Sequence, residues 1–163
     1  MNAKKKNLRF RPVTILLMAS AIALSAVSAF GENITVGDFS YSYSLSTKEG
    51  TMTSYKGSSS NVTIPSSFTV AETYKDDDGE THTRYHTITV TSIGSYVFAS
   101  KTFITSVSFH NKLKSIGSYA FQGCTSISTI SFPSSVTSIG ASAFAGSGLV
   151  SVSTPLLGKT ARL

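Results

Sequence analysis

The sequence predicts a mostly β solenoid: short coils stacked on one another, with short helical turns between strands and a β-hairpin region ahead of them. Two alignments and one proline carry that expectation. Ile93-Gly94, Ile116-Gly117 and Ile139-Gly140 are spaced by 23 residues, as are Phe98, Phe121 and Phe144, and a fixed period of this length marks a stacked repeat. Ile104, Val107 and Phe109 share their internal spacing with Ile127, Ile130 and Phe132, while Leu149, Val152 and Thr154 follow one residue early. Pro133 stands directly after Phe132, where a residue without an amide hydrogen ends a strand.

The spacing Ile127-x-x-Ile130-x-Phe132 is the L-x-x-L-x-L frame of a leucine-rich-repeat strand. The fold class is thus an α/β leucine-rich-repeat solenoid, mostly β, of about three 23-residue coils. In each coil apolar residues alternate with Ser or Thr along the strand, as a strand with one inward face requires. Val136 and Ile139 then return the chain. Gly140 allows a turn or close packing, and Ala143 with Phe144 is expected on a short helical turn. A lone coil has an apolar interior with nothing above or below it, and stacking covers that interior. Phe98, Phe121 and Phe144 are therefore expected in one internal column.

Four segments follow along the chain. Residues 1–29 read as a secretory signal peptide: Lys4, Lys5, Lys6, Arg9 and Arg11 form a positive head, Val13 to Val27 is an apolar run, and Val27-Ser28-Ala29 offers small residues for cleavage. The run is shorter than the ~20 residues of a spanning helix, so no stable membrane span is expected after cleavage. Residues 30–90 form an N-terminal β region. Phe39 to Leu45 alternates as a half-exposed strand, Lys48-Glu49-Gly50 supplies a turn, and Thr51 to Tyr55 returns as a hairpin. Asn61 to Phe68 mirrors the strand-and-proline end of a repeat. An inserted hairpin follows, with strands Phe68 to Tyr74 and Thr83 to Val90 joined through Lys75 to Glu80. Residues 91–155 hold the repeats, and 156–163 a C-terminal tail.

The stretch "ITSVSFHNKLKSIGSYAFQGCTSISTISFPSSVTSIGASAFAG" resembles the BspA-type leucine-rich repeats. Ser-Ile-Gly, Ala-Phe and Gly-Cys, then a strand ending Phe-Pro-Ser-Ser-Val, match that family's unit in the copy centred on Phe121. The first copy departs with Val97 for Ala and Ser100-Lys101 for Gly-Cys, and the last with Ser147 for Cys. The resemblance implies a secreted or surface-attached, non-enzymatic protein that binds extracellular-matrix proteins, host cells or other bacteria.

Charge and side-chain chemistry narrow the function further. The leader holds five of the fourteen Lys and Arg and none of the eight Asp and Glu, leaving nine against eight, or +1, after it. The basic character thus sits mostly in a segment expected to be removed, and nucleic-acid binding loses its support. Cys124 cannot form an internal disulfide and reads as a small buried hydrophobe. Asp76, Asp77, Asp78 and Glu80 lack the alternating ligands and distal Glu of a calcium loop, and Asp78-Gly79 reads as a hairpin turn. On a strand His82 and His86 stand ~13 Å apart, too far for one metal. No nucleophile elbow or phosphate loop is present in the sequence. No catalytic residue, cofactor or metal ligand is assigned.

The expectation is a binding or adhesion module whose exposed strand face touches an extracellular or host-surface protein or glycan. Its outward positions are Thr105, Ser106, Ser108, Ser128, Thr129, Ser131, Ser151 and Ser153. That face is small and neutral, without the Trp, Tyr and Arg that anchor tight interfaces. Tyr41, Tyr43, Tyr55, Tyr74 and Tyr85 are the more adhesive groups by residue type. The alternative is a structural spacer or a truncated repeat fragment with no ligand of its own. An open last coil invites self-association.

Overall fold

The computed structural model describes residues 12–16 and 32–153. Twelve strands follow one another: β1 Pro12–Leu16, β2 Glu32–Val36, β3 Phe39–Ser44, β4 Glu49–Tyr55, β5 Asn61–Thr63, β6 Ser67–Lys75, β7 Thr81–Ile93, β8 Ser106–Ser108, β9 Ser115–Ile116, β10 Thr129–Ser131, β11 Ser138–Ile139 and β12 Ser151–Ser153. The main sheet runs β1-β6-β7-β4-β3-β2, and β9 and β11 extend it from β7. Two smaller parallel pairs, β5 with β8 and β10 with β12, form a second row.

The repeats wind as coils with three interior columns. Ile93, Ile116 and Ile139 pair in parallel register, and Met52 of β4 stands before Ile93 in the same register. The amides of Gly94, Gly117 and Gly140 donate to the carbonyls of Met52, Ile93 and Ile116, each at 2.8 Å. These glycines permit close backbone approach: a Cβ on Gly117 would lie 2.6 Å from the Gly94 carbonyl carbon. The second column is Phe98, Phe121 and Phe144, with relative exposures of 0, 0 and 7%. In the third, Phe109 stacks on Phe132 with ring centroids 5.5 Å apart. Cys124 is fully buried and donates its thiol to the Phe98 carbonyl at 3.0 Å; burial pushes that thiol up.

The helical turns expected around Phe98, Phe121 and Phe144 are not helices; no helix occurs among the described residues. The reason lies in where the amides go. Phe98 donates to the Ala120 carbonyl one coil on at 2.8 Å, Phe121 to Ala143 at 2.7 Å, and Gly123 to Ala145 at 2.9 Å. An α-helix needs those amides for carbonyls four residues back within its own turn, so stacking of coils and helix formation compete for the same donors.

The N-terminal region closes one end of the stack. β2, β3 and β4 form an antiparallel meander, with Leu45–Lys48 as the β3–β4 turn and Glu49 and Gly50 already in β4. β5 pairs with β8 in parallel, Val62 opposite Val107, so Asn61–Thr63 takes the place of a repeat strand. β6 and β7 are the inserted hairpin, paired from Ser67–Thr89 out to Lys75–Thr81. β1 lies inside the segment expected to be a leader and pairs antiparallel with the outer edge of β6; a sheet edge offers unpaired amides and carbonyls to any extended segment at hand. The rest of residues 1–29, and residues 156–163, lie outside the described residues.

Candidate binding surfaces

The repeat strands present hydroxyls on one face because side chains alternate along them. Val107 is buried between exposed Ser106 and Ser108, and Ile130 between exposed Thr129 and Ser131; Thr105 and Ser128 are exposed as well. Ser151 and Ser153 lie in β12, whose side chains fall outside the described residues. One neighbour was missed by the sequence reading of this face. The Asn61 side-chain oxygen accepts the Ser106 hydroxyl at 2.6 Å and the Thr105 hydroxyl at 3.3 Å, so β5 continues the row. Its mirror of the Ser131–Val136 pattern was the available signal.

The tyrosines do not form an adhesive cluster. Tyr41, Tyr43 and Tyr55 are 1, 5 and 4% exposed, which corrects their assignment as contact groups. Their alternation with serines places them on the buried face of β3 and β4. Tyr41 stacks on Phe68 at 4.6 Å, and Tyr55 continues the phenylalanine column, 5.2 Å from Phe98. Tyr74 stacks on His82 beneath the Arg84 guanidinium. Tyr85 is 58% exposed.

The acidic tip holds itself together as a turn. The Asp76 carboxylate accepts the amides of Asp78 and Glu80 at 3.1 and 2.9 Å and meets the His82 imidazole at 2.7 Å. The hydrogen bond from His82 holds the Asp76 carboxyl below its ordinary range. His86 faces elsewhere: its Nε2 meets Glu72 at 2.8 Å, while its Nδ1 accepts from Lys48 Nζ. Among the described residues no three His, Cys, Asp or Glu side chains are placed to hold a metal, and no helix is long and apolar enough to cross a membrane.

A concave feature of the surface is a cleft of about 580 Å3, where the N-terminal hairpin meets a corner of the coils. One wall is Thr47, Lys48 and Glu49, and β7 contributes Thr89 and Thr91. The other wall is repeat-built: Lys112 and Ser135 stand one and two periods after Thr89, and Lys114 and Thr137 one and two periods after Thr91. The Thr137 and Lys114 amides donate to the Lys114 and Thr91 carbonyls at 2.9 and 2.8 Å, which fixes that column. Lys114 Nζ donates to Glu49 across the cleft, both side chains being largely exposed. The Ser135 hydroxyl is buried with no hydrogen-bond partner among the described residues. Beside the cleft, burial and then the Lys112 charge lower the pKa of His110. The 23-residue columns carrying Lys112 and Lys114 were the signal for this site; the hairpin that completes it leaves no periodic trace.

Comparison with known proteins gives a consistent answer. Residues 87–159 match the family described as BspA type Leucine rich repeat region (6 copies). No curated protein matches the chain. The chain is similar to the crystal structure of a leucine rich cell surface protein from Faecalibacterium prausnitzii A2-165, at 29% identity and TM-score 0.55, over 69% of this chain and 27% of that one. It is also similar in fold to a leucine-rich repeat protein from Bacteroides ovatus ATCC 8483, at 24% identity and TM-score 0.58, over 76% of this chain and 30% of that one. A leucine-rich repeat protein from Bacteroides capillosus ATCC 29799 matches at 20% identity and TM-score 0.51, over 74% and 96%. The chain thus spans about a third or less of the first two relatives. With the phenylalanine and glycine columns in place, residues 87–159 of this chain are similar to the BspA type leucine rich repeat region.

Proposed function

We propose that the chain is an exported, non-enzymatic binding module of the cell surface or the surrounding medium, whose solenoid contacts an extracellular or host-surface protein or glycan. The observation that carries this reading is the 29% identity to a leucine rich cell surface protein over 69% of the chain. Residues 1–29 serve as the export signal, 30–90 as the starting unit of the stack, 91–155 as the repeats and 156–163 as a tail. The contact face runs through Thr105, Ser106, Ser108, Ser128, Thr129, Ser131, Ser151 and Ser153. Hydroxyls on a flat face give hydrogen bonds with little buried apolar area, so each contact is weak and gains from many copies.

The test is capture of matrix proteins and cells by the purified chain displayed on beads at high density. Capture that persists in high salt and is reduced by Thr129→Arg with Ser108→Arg supports this face, because an uncharged contact is poorly screened. Absence of capture across a broad panel of proteins, glycans and cells rejects the reading in favour of a structural spacer.

A further inference from the structure

We infer that the cleft between the β3–β4 turn and the repeat corner is a binding site for an acidic saccharide, an oligosaccharide bearing carboxylate or sulfate groups. The inference deepens the binding reading and rests on it, but it assigns a surface other than the strand face.

Charge makes the first case. Three lysines, Lys48, Lys112 and Lys114, line the cleft against one glutamate, Glu49, an excess of two positive charges. Those three are a third of the nine cationic residues after position 29, in a segment whose net charge is only +1. Four of the eight acids are segregated from them: Asp76, Asp77, Asp78 and Glu80 occupy the far tip of the β6–β7 hairpin, roughly 25 Å along β7 from Thr89 at about 3.3 Å per residue. The lysines are not equally occupied. Lys48 is tied through His86 to Glu72, Lys114 spans to Glu49, and Lys112 has no ion-pair partner among the described residues. The Lys114–Glu49 pair is 60 and 44% exposed, so its attraction is screened by water and an incoming anion competes for the ammonium on nearly equal terms.

The remaining lining decides the class of anion. Thr47, Thr89, Thr91, Ser135 and Thr137 supply hydroxyls that both donate and accept, and Asn111 adds an amide. Glu49, once released by Lys114, is an acceptor for ligand hydroxyls. A ligand matching this set carries many hydroxyls and separated negative charges. Among the described residues no aromatic or aliphatic residue lines the cleft, so none of them receives a nucleobase, and the volume lies within the ~300–1,000 Å3 of small-molecule sites, much more than one inorganic anion fills. Lysine rather than arginine also suits the site, since a flexible point charge follows anionic groups without demanding a fixed bidentate geometry.

The experiment is calorimetric titration of the purified chain with a heparin tetrasaccharide, with maltotetraose as the uncharged control and with inorganic sulfate. The expected result is binding of the tetrasaccharide, no binding of maltotetraose, and at least a tenfold loss of affinity in Lys112→Glu/Lys114→Glu. Lys56→Glu, which removes an exposed lysine outside the cleft, should leave affinity unchanged, and circular dichroism should show both variants folded. A second variant, Thr137→Trp, fills the cleft without altering charge and should also abolish binding. Equal losses in Lys56→Glu and the double variant would mean diffuse charge attraction and overturn the site. Sulfate binding as tightly as the tetrasaccharide would overturn the saccharide assignment. Failure of the tetrasaccharide to bind, in a chain that still captures matrix proteins or cells, overturns this inference and leaves the strand-face reading standing.

Discussion

Phe98 and Phe121 lie ring on ring, centroids 4.8 Å apart and planes 6° from parallel, and Phe121 repeats the relationship with Phe144 at 5.2 Å and 3°. One side chain per coil, always in the same rotational position, builds a continuous aromatic column. Phe121 is the member with a phenylalanine stacked on each face, and it also meets Phe109 edge on. Each such pair adds about 0.5–1.5 kcal/mol beyond simple burial.

Phe121→Ala should therefore lose about 3–5 kcal/mol, because transfer energy, two stacked pairs and an unfilled cavity all act at one position. Thr129→Ala, on the exposed row of the same repeat, should change stability by less than about 0.5 kcal/mol. Urea denaturation of the two variants compares them directly. Equal losses would show that the column is not what holds the coils together.

Gly117→Ala tests the backbone seam instead of the core. Its added methyl would meet the Gly94 carbonyl carbon and the Ser95 nitrogen at 2.6 Å, and backbone cannot move aside as a side-chain tip can. A loss of about 1–3 kcal/mol or more is expected, as for overpacking. Gly37→Ala is the control: its added carbon has nothing within 4 Å, and only the φ of +58° opposes it, at a cost near 1 kcal/mol. Thermal melts that rank Gly37→Ala as the more damaging change would contradict the close approach at the seam.

Alkali should loosen the N-terminal end selectively. Burial raises the phenols of Tyr41 and Tyr43 far above their ordinary value of 10, and Glu32 adds to the shift at Tyr43. The folded state thus keeps protons that the unfolded state gives up. Stability from these groups is fully present below pH 10 and falls as pH rises from there towards the folded pKa, by up to about 1.4 kcal/mol per phenol per pH unit. Denaturation midpoints measured between pH 9 and 11.5 should show this decline, and Tyr41→Phe should make it shallower. A slope unchanged by that substitution would mean Tyr41 titrates as an exposed phenol.

What could be read from the chain alone followed from repetition. The phenylalanines and the Ile-Gly steps recur because every coil meets the same neighbour, so one period revealed a column before any coordinate did. Glycine at 94, 117 and 140 carried its own explanation in the spacing. The turns around Ala120 and Ala143 misled, since an Ala-Phe pair favours a helix locally while the competing acceptors lie one coil away. Tyr41, Tyr43 and Tyr55 misled differently: residue type suggested contact, but their alternation with serine already defined an inward row. The cleft was legible by half. Lys112 and Lys114 sit on periodic columns, but Glu49 reaches Lys114 across 65 positions of chain, and no local pattern announces such a meeting.

Met52 offers Gly94 the same carbonyl, at the same 2.8 Å, that Ile93 offers Gly117 and Ile116 offers Gly140. Every joint in the stack is hence interchangeable with the next, and the opening hairpin imitates a repeat well enough to begin the series. A gene encoding this architecture could gain or drop whole units by duplication or deletion without inventing a new seam, because an added coil would meet the same carbonyl its predecessor met.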